Sequence, residues 1–414
     1  MAWRTVTGVP REVVPLPGRA LLRELAWTLG EGAEGEGAEE AREALTSGLR
    51  DATGARHVFL LPDGRTGLYG LLADLGRRHP GGEVILPDYN FFAVPEMVRR
   101  AGLAPVFVDV QAPHGEASLE AAARAVTPRT RALLLGHYFG RPNDLPRWSA
   151  FARDRGLALY EDCAHAFGAS VDGRAAGRWG LGGSFSLSLT KGLTGVMGGA
   201  VITDDDETAA SLAALTATLG AAPRGEVARS LLSALGGAVL FGRASHPALV
   251  RAPHAALLHL GVDLLDRVMT ELPAPTEPRA WPSSTRMPAP CARLARGHLA
   301  RALADVDRQR AAARRIVGAW PWSRVRLPPW EDDRRATFLN LVARVDDPWG
   351  FRRHLVRRGY DARSDYLTSS TGDAGRFPVS VRLPREGVFL PIRALRDEGD
   401  VDRLIEALVD WERG

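Results

Sequence analysis

VILPDYNFFAVPEMVRRAGLAPVFVDV, residues 84–110, reads as one strand–helix–strand unit. Two apolar runs, EVILP at 83–87 and APVFVDV at 104–110, flank an aromatic turn and a segment that mixes Val94, Met97 and Val98 with Glu96, Arg99 and Arg100. The alternation extends both ways, with HVFLL at 57–61 before the unit and RALLLG at 131–136 and LALYED at 157–162 after it. Helix-like segments at Leu68–Leu75, Ser118–Ala125 and Leu145–Arg155 fall between the runs. Near-continuous apolar strands alternating with helices predict an α/β domain around a largely parallel sheet, because such a sheet is covered on both faces. Ligands of these sheets gather beyond the carboxyl ends of the strands.

Outside this block the patterns change. Residues 31–39, EGAEGEGAE, read as an exposed turn or linker. From about 206 to 284 there are few strand signals and several apolar helix-like segments. One is Leu231 to Phe241. In another, Leu257, Leu260, Leu264, Leu265 and Val268 recur at helical spacing. An Ala/Arg/Leu-rich helix is expected from about 293 to 318, then FLNLVARV at 338–345, a helix near 349–358 and a closing helix from about 400 to 412. The division expected is a large domain over 1–210, a helical insertion or link over 211–284, and a smaller C-terminal α+β domain over 285–414.

The 414 residues are 45% hydrophobic and 25% charged, ordinary for a globular protein. The net charge is +4, but basic residues are scattered and nearly balanced by acidic ones, so a nucleic-acid surface is not expected. The longest run free of Asp, Glu, Lys and Arg, Thr208 to Pro223, is too short for a membrane span. Two cysteines, Cys163 and Cys291, offer no disulfide framework, and with no export signal at the N-terminus a cytoplasmic location is expected. Of the 53 Lys and Arg residues, Lys191 alone is lysine. Arg replaces Lys wherever a surface charge suffices, but not where a deprotonable amine must attack a carbonyl.

Four local features lie in the α/β block in a sensible order. Asp63-Gly64-Arg65-Thr66-Gly67 joins a strand to a helix, either as an ordinary turn or as an anion cradle at a helix N-terminus. Asp88-Tyr89-Asn90-Phe91-Phe92 follows a strand, either as core or as a platform for a heteroaromatic ring. Glu161-Asp162-Cys163-Ala164-His165 ends another, either as a cap or salt bridge or as a carboxylate beside a pyridine nitrogen. Ser184-Phe185-Ser186-Leu187-Ser188-Leu189-Thr190-Lys191-Gly192 places the sole lysine among hydroxyls that suit a phosphate, and Gly198-Gly199 then permits a tight return into a strand.

This order resembles the DegT/DnrJ family of aminotransferases. The likeness covers about 55–205 and 285–412, and includes VTPRTRALLLGHYFGRPNDL, EDCAHAFGASVDGRAAGRWG, SFSLSLTKGLTGVMGGAVITDDDE, TRMPAPCARLARGHLARAL and GVFLPIRALRDEGDVDRLIEAL. The resemblance implies the fold type I architecture of pyridoxal-5'-phosphate enzymes, with a large domain around a mostly parallel, seven-stranded type of sheet. It assigns Lys191 to the Schiff base and Asp162 to the pyridine nitrogen as catalytic residues. It places His165, where many members have Gln, near the cofactor's phenolic oxygen. Phe91 becomes the stacking aromatic, and Gly64, Arg65 and Ser186 hold the phosphate; no metal is implied. It also implies homodimers with shared active sites, in which Ser284 stands where a neighbouring subunit usually contributes Asn.

Three departures stand out. Asp63-Gly64-Arg65 occupies the place of the usual Ser-Gly-Thr, Ser284 precedes Arg286-Met287 in place of Asn, and the link between the lysine segment and Arg286 is longer than usual. The reaction implied moves an amino group from an amino-acid donor, Glu or Gln, to a keto sugar nucleotide, a cyclitol or a related ketone. The alternatives are elimination, racemisation or carbon–carbon bond formation on the same cofactor, or a non-catalytic regulator with an enzyme-like fold.

Overall fold

The computed structural model describes residues 9–10, 13–32, 34–242, 282–331 and 334–414. The helix expected over Leu257–Val268 lies outside these. The apolar runs become β1 (His57–Leu61), β2 (Glu83–Pro87), β3 (Ala104–Val108), β4 (Thr130–Gly136), β5 (Ala158–Asp162), β6 (Gly182–Ser186) and β7 (Gly199–Thr203). They form one seven-stranded sheet in the order β1-β7-β6-β5-β4-β2-β3. From β6 to β3 every neighbour is parallel, while β7 runs antiparallel to both β1 and β6. The carboxyl ends of β1, β2, β3, β4, β5 and β6 therefore share one edge.

Helices that precede, separate and follow the strands pack around the sheet. They are α1 (Gly18–Gly30), α2 (Ala38–Thr53), α3 (Gly64–Arg78), α4 (Ala93–Arg100), α5 (Leu119–Ala125), α6 (Leu145–Asp154), α7 (Asp206–Ala217) and α8 (Arg224–Leu240). One core, with Leu45, Leu133, Phe151 and Phe185, lies on one face; a second, with Leu72, Leu86, Met97 and Tyr160, lies on the other. α8 buries Val227, Leu231 and Ala234 in a cluster shared with Leu21 of α1.

The Gly/Glu stretch at 31–39 is more than an exposed linker. Glu34 pairs with Arg42, and with Arg286 at 3.2 Å, while Glu39 reaches Arg42 at 2.8 Å and Arg286 at 3.0 Å. These acids fix the entry to α2 against the distant 286–287 segment, whose Met287 carbonyl also accepts from Arg42. Composition alone reports solvated charge; Arg42 is a near neighbour in sequence, but Arg286 lies 247 residues from Glu39.

The C-terminal part is smaller. β8 (Leu341–Arg344), β9 (Arg363–Ser364) and β10 (Gly387–Leu390) form an antiparallel sheet in the order β8-β10-β9. α9 (Ala289–Gly318), α10 (Pro348–Arg357), α11 (Pro378–Glu386) and α12 (Glu398–Arg413) surround it. α9 begins four residues before the expected 293 because Pro290 sits in its first turn, where the missing N–H costs nothing. Its early residues Cys291, Ala295 and Leu299 belong to the core of the large sheet, and Ala312, Ala313 and Ile316 belong to the C-terminal core. No helix of the described residues is long and apolar enough to cross a membrane.

Candidate active site

The turn after β1 holds Gly64 and Arg65. Asp63 caps α3, its carboxylate accepting from the Thr66 N–H at 2.8 Å, and Arg65 lies 3.5 Å from the same carboxylate. The guanidinium thus offsets a negative charge that Asp63 brings to the helix start. Ser186, at the end of β6, lies against this turn: a Cβ on Gly64 would sit 3.1 Å from the Ser186 Cβ. Ser184 ties the two elements by donating to the Gly64 carbonyl at 2.8 Å, and Ser186 reaches Ser188 at 3.2 Å. Gly198 is required here, with φ +132 and Met287 packed where a side chain would stand. Gly64 and Ser186 are therefore brought together, with Arg65 beside them on the same turn.

Lys191 lies in the loop that follows β6. Its N–H donates to the Ser188 carbonyl at 3.0 Å, and Arg393 clamps the loop by donating to the Thr190 and Lys191 carbonyls at 2.7 and 3.1 Å. The Lys191 amine stands 6.0 Å from the centre of the Tyr366 ring. Asp162 ends β5, the strand next to β6. Burial pushes its carboxyl above the usual carboxylate range; the Ala164 N–H at 2.9 Å and the charge of Lys191 pull the other way. The neighbouring Glu161 is the structural member of the pair: fully buried, it accepts from His137 Nε2 at 2.9 Å and from the N–H groups of Gly177 and Trp179, both at 2.7 Å. The alternation of side chains along β5 thus gives one carboxylate to the frame and one to the crevice.

His165, three residues after Asp162, is buried. The Phe139 N–H donates to its Nδ1 at 3.2 Å, and its Nε2 meets the Tyr366 hydroxyl at 2.8 Å. Burial, with the charge of Lys191 behind it, holds this imidazole well below its usual pKa, hence neutral. Tyr138, following β4, is buried with no hydrogen-bond partner for its hydroxyl among the described residues, and burial and Asp162 raise its pKa. Gly136 has no side chain because the Tyr138 ring fills that space. Phe91 lies beyond the end of β2, partly buried, with its ring 4.5 Å from that of the exposed Phe92.

A strap from the C-terminal part crosses this edge. Thr368 and Ser369 pair antiparallel with Asn90 and Tyr89, and buried Asp88 accepts from the Ser369 hydroxyl and from the Thr371 N–H at 2.9 Å. Tyr366, Arg393 and the strap were missed by sequence reading. ARSDYLTSS has no periodicity and no motif, so only the tertiary pairing reveals it. Ser284 is exposed, and its carbonyl accepts from Gly220 of its own chain at 2.8 Å. The adjoining Ser283 N–H donates to Thr66 Oγ1 at 3.0 Å, so this segment runs close to the start of α3.

A model of the DegT/DnrJ/EryC1/StrS aminotransferase family matches residues 21–229. A UDP-N-acetyl-3-dehydro-alpha-D-glucosamine 3-aminotransferase of Acidithiobacillus ferrooxidans is 41% identical over 129 residues, 31% of this chain and 35% of the relative. A dTDP-4-dehydro-2,3,6-trideoxy-D-glucose 4-aminotransferase of Saccharopolyspora spinosa is 39% identical over 136 residues, 33% of this chain and 34% of the relative. These matches span about a third of each relative's length. The fold as a whole is similar to DesV of S. venezuelae, with TM-score 0.71 and 23% identity over 97% of this chain and 99% of that one. It is also similar to Spr1654 of Streptococcus pneumoniae in its PLP form, with TM-score 0.70 and 17% identity over 98% and 99% of the two chains.

Proposed function

This chain belongs to the DegT/DnrJ/EryC1/StrS aminotransferase family, and from that membership we propose that it is a pyridoxal-phosphate-dependent aminotransferase. The substrates proposed are an amino-acid donor, Glu or Gln, and a keto sugar nucleotide, a cyclitol or a related ketone. The observation that carries this reading is the meeting, at the carboxyl edge of parallel strands, of the chain's sole lysine with a partly buried carboxylate and a hydroxyl-lined helix start.

The residues fit the cofactor. Ser186, Ser188 and the N-terminus of α3 offer a phosphate neutral donors and a helix dipole of the right sign, and Arg65 adds a cation. Asp162, whose charge is disfavoured by desolvation, gains a further partner if a protonated pyridine nitrogen lies beside it. Phe91 supplies an apolar face. Bound there, the cofactor supplies an electron-accepting ring that stabilises negative charge at the carbon bearing the amine. Lys191 would hold the cofactor covalently, and its free amine would be placed to move the proton at that carbon. Arg393 keeps the lysine loop in place by its two carbonyl contacts. Asp162 would hold the proton on the ring nitrogen. A homodimer, with Ser284 of each chain facing its partner's phosphate site, completes the proposal.

The test is a half-reaction screen. Purified protein loaded with pyridoxal phosphate is expected to lose its visible band with Glu or Gln and to regain it with a nucleotide-linked keto sugar. Lys191→Arg is expected to fold normally and to lack the visible band, since guanidinium forms no imine. A visible band or turnover in Lys191→Arg would overturn the assignment.

A further inference from the structure

Neutral His165 has a single N–H, and the fold decides where it points. Its Nδ1 faces the Phe139 N–H at 3.2 Å, a group that can only donate, so Nδ1 is the acceptor and Nε2 carries the proton. The backbone is bent to make this so. Phe139 lies in the left-handed region at φ +59, a conformation a Phe adopts only when its surroundings impose it. The Phe139 ring also stacks on the imidazole, with centroids 6.1 Å apart and planes 23° apart. The Nε2 proton is then donated to the Tyr366 oxygen at 2.8 Å. Having accepted there, Tyr366 directs its own proton away from His165. Its ring is packed by Phe389, edge-on at 5.3 Å, and by the Arg363 guanidinium 5.1 Å from its centre, and that centre lies 6.0 Å from the Lys191 amine.

We propose that Tyr366, not His165, donates the hydrogen bond to the phenolic oxygen of the lysine-bound cofactor, and that His165 is a positioning residue that aims the Tyr366 hydroxyl. This rests on the cofactor reading above. The contact that sequence resemblance assigns to position 165 is thereby passed one residue outward, to a side chain that only the C-terminal strap delivers.

The consequence is spectroscopic. A donor on the phenolic oxygen withdraws negative charge that otherwise holds a proton on the adjacent lysine-derived nitrogen. Removing the donor tightens that proton, so the pKa of the visible band rises. The other charged groups around this point, Asp162 at the end of β5, Arg363 over the Tyr366 ring and Arg393 on the Lys191 carbonyl, are retained in every variant.

The experiment is a pH titration of the visible band in the holoenzyme. Tyr366→Phe, which keeps the ring and its packing, is expected to raise the pKa by about one unit, the scale of one hydrogen bond. His165→Ala should shift it in the same direction by less. His165→Gln, which can accept from Phe139 and donate to Tyr366 together, should restore it. The Tyr366→Phe/His165→Ala pair should shift no further than Tyr366→Phe alone. A Tyr366→Phe shift below about 0.2 unit overturns the proposal. So does a larger shift in His165→Ala than in Tyr366→Phe, which would put the imidazole on the oxygen itself. Wild-type protein that stays colourless with added pyridoxal phosphate would instead overturn the cofactor reading, and this proposal with it.

Discussion

Asp162 shows what the site costs the cofactor-free protein. Its carboxyl is raised chiefly by burial, so the folded chain holds its proton more tightly than the unfolded chain does. For an acid raised on folding, stability is greatest below the unfolded pKa and falls as pH climbs through the folded value. Above the ordinary carboxylate range its desolvation therefore works against the fold. Asp162→Asn removes the charge and keeps an oxygen for the Ala164 N–H. The cofactor-free variant is expected to melt about 1–2 °C higher at neutral pH, the shift that roughly 1 kcal/mol produces in a chain of this size. Below the carboxylate range that advantage should vanish. Turnover should collapse, because an amide does not keep a pyridine nitrogen protonated. Thermal melting at several pH values checks this, and a cofactor-free variant that melts lower at neutral pH contradicts it.

Among the elements, α9 decides how the two parts of the chain behave. Its 30 residues extend roughly 45 Å at 1.5 Å each. One end is buried with the large sheet and the other with β8, β9 and β10, so neither core can open without disturbing the helix. Ile316 is fully buried in the C-terminal core. Ile316→Ala should cost about 2–5 kcal/mol through lost transfer energy and an unfilled cavity. It is expected to lower one cooperative melting transition. Calorimetry that resolves two transitions, with only one moved by Ile316→Ala, would show that the helix does not couple the cores. The same coupling explains the site, because Tyr366 and Arg393 belong to the C-terminal part and act at the edge of the large sheet.

At the scale of the whole molecule, the proposed dimer makes a prediction that no single chain can satisfy. Ser284 is exposed in its own chain, and the family resemblance implies a cross-subunit residue at its position. If it serves the partner's site, Ser284→Trp alone should weaken pyridoxal phosphate binding by tenfold or more, on the order of one lost charge-assisted contact with added bulk. Lys191→Arg alone gives no visible band. Co-folding the two variants rebuilds one intact site per mixed dimer, with Lys191 from one chain and Ser284 from the other. Recovered colour, toward half the wild-type amount in the mixed dimer, is the expected result. Unimpaired binding in Ser284→Trp alone would remove Ser284 from the site.

The period of the apolar runs determined the main sheet, because a strand buried on both faces must be apolar along its length, and that constraint is local. β1, β2, β4 and β5 fall where HVFLL, EVILP, RALLLG and LALYED lie. Lys191 was legible for a chemical reason: an arginine-rich chain kept one amine. That Gly64, Ser186 and Asp162 sit at strand ends and a helix start was legible because such turns are written in consecutive residues; their roles came from the family resemblance. Other features depend on partners far apart in the chain. β3 stops at Val108 where APVFVDV reads on, and Asp109 instead binds the start of α11, accepting from the Val379 and Ser380 N–H groups at 3.1 and 2.8 Å. Glu34 and Glu39 read as solvated charge until Arg42 and Arg286 are placed beside them. The aim of His165 belongs to the same class, since it needs the bent Phe139 backbone on one side and Tyr366, 201 residues onward, on the other. Periodicity reports which face of an element is buried; which distant side chain meets it there is decided only when the two cores close on α9.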